Sequence, residues 1–335
     1  MSIRRPNGIS EVGLSASGQA GRETIEDAPL LESQNPGMVA LLETAQRAAA
    51  ADTTILLTGE SGTGKDSLAR QIHRWSPRRD GPFVVLNCTA LTEQRLENEL
   101  FGHVRAGFTS AVDNRPGRLE AGHGGTVLLH EIAELTPALQ AKFLRFVQEQ
   151  SLERIGSSPA IRVNVRMIAA SSHSLDAEVA AGRFREDLYY RLNVIALRLP
   201  PLRERTADIQ PLAAWMLRQV SRKTRRAEFT LSAEAAEALA NYRWPGNVRE
   251  LRNALEHATA LARTETITLG DLPDCVCRGA SSRFLPSRCG TALKDREREH
   301  ILRVMAESPT LAVAAAKLGI DAATLWRKRK RYGIG

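Results

Sequence analysis

The stretch Gly59-Glu60-Ser61-Gly62-Thr63-Gly64-Lys65 decides the fold of this chain. It follows a short apolar run at residues 55–57 (ILL) and precedes a helical pattern that begins near Asp66. A strand, a G-x-x-x-x-G-K loop and a helix in this order form a P-loop, in which backbone N–H groups and the helix N-terminus face phosphate oxygens. Lys65 places a full positive charge near the outer phosphates, and Asp66 stands where the general motif has a magnesium-binding Ser or Thr. The segment from Gly59 to Asp66 therefore predicts a nucleotide-binding site.

Short apolar runs alternate with helical segments along the first part of the chain. We predict further buried strands at residues 83–86, 127–129 and 165–170, with helices between them. This alternation is typical of an α/β fold with a parallel sheet that helices cover on both faces. Residues 209–261 are alanine-rich and helical without a strand pattern, which predicts a smaller all-α lid.

Changes in composition divide the chain further. We expect a flexible tail at residues 1–28, an α/β nucleotide-binding subdomain at 29–203, a helical lid at 204–272, a linker at 273–292 and a helix-turn-helix domain at 293–335. The tail and the linker lack helical or strand periodicity and are rich in residues that favour loops. The roughly 30 residues before the nucleotide-binding subdomain are too few for a regulatory domain. We therefore expect control by a partner protein, by expression level or by occupancy of the DNA.

The charge of the chain is basic, with a formal net charge of +8 and a pI near 9.7. This balance favours a polyanionic partner, either nucleic acid or an acidic membrane surface. No apolar run approaches the roughly 20 residues that span a bilayer, and the N-terminus has no apolar signal-peptide core. The four cysteines are too few for a disulfide framework, and the C-x-C spacing of Cys275 and Cys277 does not favour zinc. We therefore expect a cytoplasmic protein without a membrane partner.

The motifs around the P-loop resemble those of the sigma-54-dependent transcriptional activators, also called bacterial enhancer-binding proteins. The loop of that family reads GESGTGKE, so residues 59–65 match and Asp66 replaces the glutamate. The resemblance covers about residues 30–270, and the other matching segments follow in the order of the family: 82–88 (PFVVLNC), 99–103 (ELFGH), 124–126 (GGT), 184–192 (FREDLYYRL), 200–205 (PPLRER) and 244–251 (WPGNVREL). The resemblance implies an AAA+ P-loop ATPase with an all-α lid.

The resemblance also implies roles for individual residues. Glu131 would polarise the attacking water, because phosphoryl transfer depends on an oriented nucleophile. Asn87 would hold that glutamate until the target is engaged. Arg185 and Arg191 would act as arginine fingers in the site of a neighbouring subunit, and Arg249 would couple the nucleotide state to the lid. Fingers that act between subunits imply a homo-oligomer, from a dimer to the hexameric ring of the family.

Two departures from the family pattern lie beside the nucleotide site. The family has Asp-Glu at the end of an apolar strand, and this chain has His130-Glu131. The resemblance implies ATP and Mg²⁺ as cofactors, but neutral imidazole is a poor magnesium ligand, which leaves Asp66 and Glu131 as the oxygen ligands that could compensate. The sensor strand ends in Ser171-Ser172 where the family has Thr-Asn. We expect looser positioning of the attacking water there, unless a bridging water repairs it.

A third departure lies in the loop that contacts sigma-54. The family motif GAFTGA corresponds to residues 106–111 (AGFTSA) in this chain. Phe108 and Thr109, the apolar and hydroxyl contacts at the tip, are kept, whereas the flanking glycines have moved or become serine. Because glycine permits positive φ and close approach, we expect a different loop shape. The retained tip still favours a contact with sigma-54 RNA polymerase.

The last segment has the pattern of a helix-turn-helix. We predict helices at residues 295–306, 313–320 and 322–332, with a turn at Gly319 between the last two. The pattern A-x-x-L-G-I followed by T-L-W-R-K resembles a Fis-type module. Residues 291–335 contain ten Lys/Arg and five Asp/Glu, a net charge of +5, which favours phosphate contacts. The candidate residues for binding double-stranded DNA are Ala323, Thr324, Arg327, Lys328, Lys330 and Arg331.

Two functional interpretations follow from these patterns. In the first, the protein binds DNA upstream of a promoter, assembles a ring and remodels sigma-54 RNA polymerase by ATP hydrolysis. In the second, it is a hydrolysis-deficient AAA+ regulator that acts by DNA binding without that remodelling, and His130, Ser172 and the altered loop separate the two. A metabolic P-loop kinase is disfavoured, because the chain has a DNA-binding end and no small-substrate motif.

Overall fold

The computed structural model describes residues 33–89, 91–104, 114–157, 159–224, 226–281, 301–302, 304–305, 308 and 310–332. The chain divides into two compact units, Met1–Ser281 and Ser282–Gly335. The predicted tail at residues 1–28 and the predicted sigma-54 contacts Phe108 and Thr109 lie outside the described residues. None of the helices in these ranges is long and apolar enough to cross a membrane.

The strands of the first unit follow one another in the described part of the chain with helices and turns between them. In chain order they are β1 (Ile55–Thr58), β2 (Phe83–Asn87), β3 (Gly102–His103), β4 (Arg115–Pro116), β5 (Thr126–His130), β6 (Ser151–Glu153), β7 (Ala160–Arg162), β8 (Arg166–Ser171), β9 (Ile195–Arg198), β10 (Thr230–Leu231) and β11 (Thr266–Ile267).

The helices of the same unit are, in chain order, α1 (Pro36–Ala50), α2 (Lys65–Trp75), α3 (Glu93–Phe101), α4 (Arg118–Ala121), α5 (Pro137–Glu149), α6 (Leu175–Ala180), α7 (Glu186–Leu192), α8 (Ile209–Thr224), α9 (Ala233–Asn241), α10 (Asn247–Leu261) and α11 (Asp274–Ser281). Helix α5 begins as the sequence predicts, because Thr136 caps it and Pro137 occupies its first turn.

A five-stranded parallel sheet forms the centre of this unit, in the order β2-β5-β8-β1-β9. Side chains alternate between its two faces, so Ile55 and Leu57 of β1 pack with residues of α1 and α2, whereas Leu56 packs with residues of α5 on the other face. The predicted α/β fold is confirmed. Strand β9 was not predicted, because it is an edge strand with one fully buried side chain, Leu197, and has no long apolar run.

The carboxyl ends of the parallel strands bring the predicted site residues to one edge of the sheet. Thr58 of β1 lies beside Ser171 of β8. His130 of β5 lies between Asn87 of β2 and Ala170 of β8. The segments that follow β1, β5 and β8 therefore meet at this edge, where ligands bind in open parallel sheets.

The lid packs helices α8, α9, α10 and α11 around a core that includes the fully buried Trp244. The Trp244 indole N–H donates a hydrogen bond to the Leu239 carbonyl at 2.9 Å. A two-residue parallel ladder joins β10 to β11, a feature that no strand pattern indicated.

The start of the predicted linker is regular structure. Residues 274–281 form helix α11, so the prediction of irregular chain from residue 273 was wrong for this segment. The physical reason is the burial of Val276, which is 1% exposed and packs into the lid core. The glycine and serine at the end of this segment hid the helix from the composition argument.

The second unit has the predicted turn and the last two of the three predicted helices, whereas most of the first predicted helix, at residues 295–306, lies outside the described residues. Helix α12 (Leu311–Lys317) precedes a turn at Gly319, whose φ is +67°, and helix α13 (Ala322–Tyr332) follows. Glycine is favoured in this turn because other residues rarely adopt a positive φ. Ile301, Val304, Ala314, Ala315 and Leu325 form the buried core of the unit.

Candidate nucleotide-binding site and DNA-binding helix

The loop between β1 and α2 has the backbone of a phosphate-binding loop. Gly59, Gly62 and Gly64 have φ angles of +144°, +78° and +106°, a region that residues with a Cβ rarely adopt. Gly64 directly precedes helix α2, so the first N–H groups of the helix are directed toward the loop. The arrangement can hold phosphate oxygens by backbone donors and by the partial positive charge of the helix N-terminus.

Lys65 lies at the centre of the site and is only 4% exposed. Its Nζ donates hydrogen bonds to the Gly59 carbonyl at 2.7 Å and to Ser172 Oγ at 2.9 Å. The Nζ also lies 4.0 Å from Glu131 Oε1. Burial lowers the pKa of Lys65, and the nearby carboxylates of Glu131 and Asp66 only partly oppose this effect. The Lys65 side chain thus lies beside carboxylates at the mouth of the loop.

Glu131 is held in a defined position by Ser172. The Ser172 N–H donates to Glu131 Oε2 at 2.8 Å, and the Ser172 hydroxyl donates to Glu131 Oε1 at 2.5 Å. Burial alone would raise the pKa of Glu131, but these bonds and the charge of Lys65 hold it below its ordinary value. The carboxyl group is therefore ionised at neutral pH and accepts hydrogen bonds through both oxygens.

Ser172 and Asn87 differ in how far the structure connects them to Glu131. The sequence predicts looser positioning of the attacking water at Ser172, and the structure shows that Ser172 contacts both Glu131 and Lys65. Asn87 is the last residue of β2, which β5 separates from β8. Its Oδ1 accepts hydrogen bonds from Thr89 N at 3.0 Å and Thr89 Oγ1 at 2.8 Å. The proposed hold of Asn87 on Glu131 stays a prediction.

His130 and Asp66 approach each other at the same edge of the sheet. His130 Nε2 lies 3.1 Å from Asp66 Oδ1, and His130 Nδ1 lies 3.7 Å from Glu131 Oε1. Burial would raise the pKa of Asp66, but its interaction with His130 holds that pKa below its ordinary value. In the described part of the chain, no group of three or more His, Cys, Asp or Glu side chains could hold a metal ion. A metal ion at this place would therefore need phosphate or water oxygens to complete its coordination.

The lid contacts the P-loop through the first residues of helix α10. Arg249 Nη1 donates to Ser61 Oγ at 3.0 Å, and the Val248 N–H donates to the Gly62 carbonyl at 2.9 Å. A Cβ on Gly62 would overlap the carbonyl oxygen of Gly246. The structure thus brings the predicted residue Arg249 directly to the phosphate-binding loop.

Asn247 connects the lid to the P-loop by hydrogen bonds that the sequence did not predict. Its side chain is fully buried, and its Nδ2 donates to the Ser61 carbonyl at 3.0 Å and to Glu60 Oε2 at 3.2 Å. Its Oδ1 accepts a hydrogen bond from Leu202 N at 2.8 Å. The φ of Asn247 is +52°, a left-handed conformation that asparagine tolerates better than most residues.

Two arginines of the 200–205 motif also bind the P-loop. Arg203 forms a bidentate ion pair with Glu60, with distances of 2.8 and 2.7 Å. Arg205 is 1% exposed and donates from Nη2 to the Thr63 carbonyl at 2.7 Å. The matching motif in the sequence indicated the family but not these contacts, because they join segments about 140 residues apart.

The two candidate arginine fingers lie at the start and end of helix α7. Both side chains are exposed, and Arg185 forms an ion pair with Asp187 at 2.7 Å. The Arg185 N–H donates to Gln140 Oε1 at 2.8 Å, which fixes the backbone before α7. The side chains of Arg185 and Arg191 are thus on the surface and not in the P-loop of their own chain.

Helix α13 presents most of the predicted DNA-binding side chains. Ala323, Arg327 and Lys330 are exposed and share one face of the helix, whereas Thr324 and Lys328 are half-buried. The side chain of Arg331 lies outside the described residues. Asp321 caps the helix by accepting hydrogen bonds from Thr324 N at 2.8 Å and Thr324 Oγ1 at 2.6 Å.

Helix α13 also carries an exposed aromatic side chain, Trp326, that was not among the predicted site residues. Trp326 is 58% exposed, and the Lys330 ammonium lies 5.3 Å from the centre of its ring. This distance is within the range of a cation–π interaction. A tryptophan directly before a run of basic residues was the sequence signal that could have identified it, because aromatic residues are enriched at binding surfaces.

Comparison with known families identifies three matching regions. Residues 31–198 match the model of the Sigma-54 interaction domain, residues 203–285 match an AAA+ ATPase lid domain, and residues 292–332 match the bacterial regulatory proteins of the Fis family. The chain therefore belongs to the family of sigma-54-dependent transcriptional activators, with an AAA+ domain, a lid and a DNA-binding helix-turn-helix.

Individual relatives are similar over most of this chain. The chain is 48% identical to the alginate biosynthesis transcriptional regulatory protein AlgB of Pseudomonas aeruginosa over 306 residues, which cover 91% of this chain and 68% of AlgB. It is 39% identical to the transcriptional regulatory protein ZraR of Klebsiella oxytoca, covering 98% of this chain and 76% of ZraR. The crystal structure of NtrX from Brucella abortus in complex with ATP is similar, with 32% identity, a TM-score of 0.69, and coverage of 90% of this chain and 69% of NtrX.

Proposed function

We propose that this transcriptional activator binds ATP, assembles into a ring of identical subunits and remodels sigma-54 RNA polymerase by ATP hydrolysis. The observation that carries the proposal is the contact chain Lys65–Ser172–Glu131 at the mouth of the P-loop. It places a cation for the outer phosphates beside an ionised carboxylate. Phosphoryl transfer to water uses a cation at the outer phosphates and a residue that orients the attacking water.

The residues of this site would divide the chemistry between them. The loop amides and Lys65 would bind the phosphates, and Glu131 would orient and deprotonate the attacking water, because it is ionised and acts as a hydrogen-bond acceptor. Arg249 would report the nucleotide state to the lid through its contact with Ser61. The contacts of Lys65 and Glu131 with Ser172 and of Arg249 with Ser61 support these assignments, and the crystal structure of NtrX with ATP supports the choice of nucleotide.

Assembly is part of the proposal because the family resemblance assigns both candidate fingers to the site of a neighbouring subunit. Arg185 and Arg191 are exposed on α7, and a planar cation that enters a neighbouring site would neutralise charge that develops on the γ-phosphate. We infer a homo-oligomer, from a dimer that binds DNA to a hexameric ring. The partners are double-stranded DNA upstream of a promoter and sigma-54 RNA polymerase, which place the protein in the cytoplasm.

The divalent ion of the site needs a separate statement. Mg²⁺ prefers an all-oxygen shell, which Asp66 and Glu131 could supply only in part because His130 presents an imidazole between them. The donors of this chain thus do not match Mg²⁺ well, and we assign no catalytic step to that ion.

His130 favours a second candidate function. The chain could act as a hydrolysis-deficient AAA+ regulator that uses nucleotide to set its conformation and acts through DNA without sigma-54 remodelling. The two candidates agree on nucleotide and DNA binding and differ in ATP turnover and in the sigma-54 remodelling that depends on it.

Steady-state ATPase activity of the full chain, measured against protein concentration, separates the two candidates. We expect the activity per subunit to rise with concentration, because the fingers of one subunit complete the site of another. Lys65→Ala is the blank and Lys142→Ala, an exposed lysine on α5, is the matched control. Wild-type activity at the level of Lys65→Ala, under conditions in which nucleotide binds, would leave only the second candidate.

A further inference from the structure

The pair His130 and Asp66 has the spacing of two neighbouring metal ligands. His130 is the last residue of β5 and Asp66 lies in the first turn of α2, with 3.1 Å between His130 Nε2 and Asp66 Oδ1. Two ligands at right angles on an ion, each with a bond of about 2.1 Å, lie about 3.0 Å apart. The two atoms therefore have the separation that shared coordination requires.

The other nitrogen of the His130 ring also faces a carboxylate. His130 Nδ1 is buried, faces Glu131 Oε1 at 3.7 Å and has no hydrogen-bond partner among the described residues. If neutral His130 donated from Nε2 to Asp66, the lone pair of Nδ1 would face a carboxylate. A doubly protonated ring would offer an N–H to each carboxylate, but neither Asp66 Oδ1 nor His130 Nδ1 has a hydrogen-bond partner among the described residues. If Nε2 coordinates a cation, the ring proton is on Nδ1 and points toward Glu131, which is the usual carboxylate–histidine–metal arrangement.

The donor set indicates which cation fits. One imidazole nitrogen and one carboxylate oxygen favour first-row transition ions over Mg²⁺, because imidazole binds these ions well and Mg²⁺ poorly. Since no three side chains of the described residues form a metal site alone, nucleotide phosphates and water must supply the other ligands. The ion would therefore bind together with the nucleotide.

We propose that His130 and Asp66 select a first-row transition ion, such as Mn²⁺ or Co²⁺, in place of Mg²⁺ as the counter-ion of the bound nucleotide. The inference rests on the nucleotide binding proposed above. It assigns to the histidine, which departs from the family pattern, a role in choosing the metal and not a loss of the site.

The test measures the affinity of the full chain for a hydrolysis-resistant ATP analogue, with saturating Mg²⁺, Mn²⁺ or Co²⁺ and with EDTA. We expect the affinity to rise in the order Mg²⁺, Mn²⁺, Co²⁺, by about tenfold overall. His130→Asp should abolish this order by restoring tight binding with Mg²⁺. His257→Asp, the same change at an exposed lid position, should retain it.

A spectroscopic measurement keeps the test decisive if a variant fails to fold. Electron spin-echo spectra of wild type with Mn²⁺ and the analogue should contain modulation from a directly bound imidazole nitrogen, and His130→Asp should lose it. Equal affinity with Mg²⁺ and Co²⁺, equally tight binding in EDTA, or absence of the nitrogen modulation would each overturn the inference while leaving nucleotide binding intact. Absence of analogue binding with every ion would instead refute the proposed function itself.

Discussion

Replacing Asn247 with alanine is expected to destabilise the first unit by about 2.5–6.5 kcal/mol. The change leaves the buried Leu202 N–H without its acceptor, which costs about 1–3 kcal/mol, and removes the bond to the Ser61 carbonyl, which contributes about 0.5–1.5 kcal/mol. It also forces alanine into a left-handed conformation at a φ of +52°, at about 1–2 kcal/mol. These are the separate sources of the expected loss.

Two further variants at this position separate hydrogen bonding from backbone strain. Asn247→Gly loses the same hydrogen bonds but adopts the positive φ without strain, so it should be about 1 kcal/mol more stable than Asn247→Ala. Asn247→Asp keeps the acceptor for Leu202 but places a negative charge beside Glu60. The contact between the lid and Glu60 should therefore weaken, with a smaller loss of stability than in Asn247→Ala.

Urea unfolding of the full chain, followed by circular dichroism, provides the assay. Asn241→Ala, at the end of α9, is the matched control and should change stability by less than about 1 kcal/mol. A loss below about 1 kcal/mol in Asn247→Ala would refute the assigned hydrogen bonds. Equal stability of the glycine and alanine variants would refute the role of the left-handed backbone.

Three other changes test the remaining contacts. Ser172→Ala should lower kcat at least tenfold with little effect on nucleotide affinity, since Glu131 loses its hydroxyl donor, whereas Ser172→Thr should restore part of the rate; a fall in affinity alone would contradict this. The pKa of Glu60 is lowered by its bond to Arg203, so the stability from this pair is present above the ordinary pKa of 4.5 and is lost as the pH falls below it. The difference in urea midpoint between wild type and Glu60→Gln should therefore vanish at low pH. A difference that stays constant with pH would exclude a stabilising role of this ion pair. Arg327→Ala should weaken binding to an upstream DNA site by about 1–3 kcal/mol in a gel-shift titration, and unchanged affinity would mean that another face of the helix reads the DNA.

The parts of the fold that were predictable depend on local signals. The P-loop, the helix after it and four strands of the sheet each have a motif or an apolar run of sufficient length. Helix α5 was predictable because Thr136 and Pro137 mark its start. In the second unit, the glycine at position 319 marks the turn before α13. In each case the residues that determine the element are neighbours in the sequence.

The parts that were missed depend on contacts between distant segments. Strand β9 is stabilised by pairing with β1 along the sheet edge, and α11 by burial of Val276 in the lid. The hold of Ser172 on Glu131 joins the ends of two strands, and the anchoring of the P-loop by Arg205 joins segments 142 residues apart. No local periodicity reports such contacts, and a motif match indicates only that a residue matters.

The most direct measurement is calorimetric titration of the full chain with a hydrolysis-resistant ATP analogue, in wild type and in Lys65→Ala. We predict saturable binding to one site per wild-type chain and a loss of at least about 100-fold in the variant, because the P-loop lysine carries the charge that contacts the outer phosphates. Equal binding by the two proteins would show that nucleotide is held elsewhere. Absence of a binding heat in wild type, with absence of binding confirmed by equilibrium dialysis, would show that this loop holds no nucleotide.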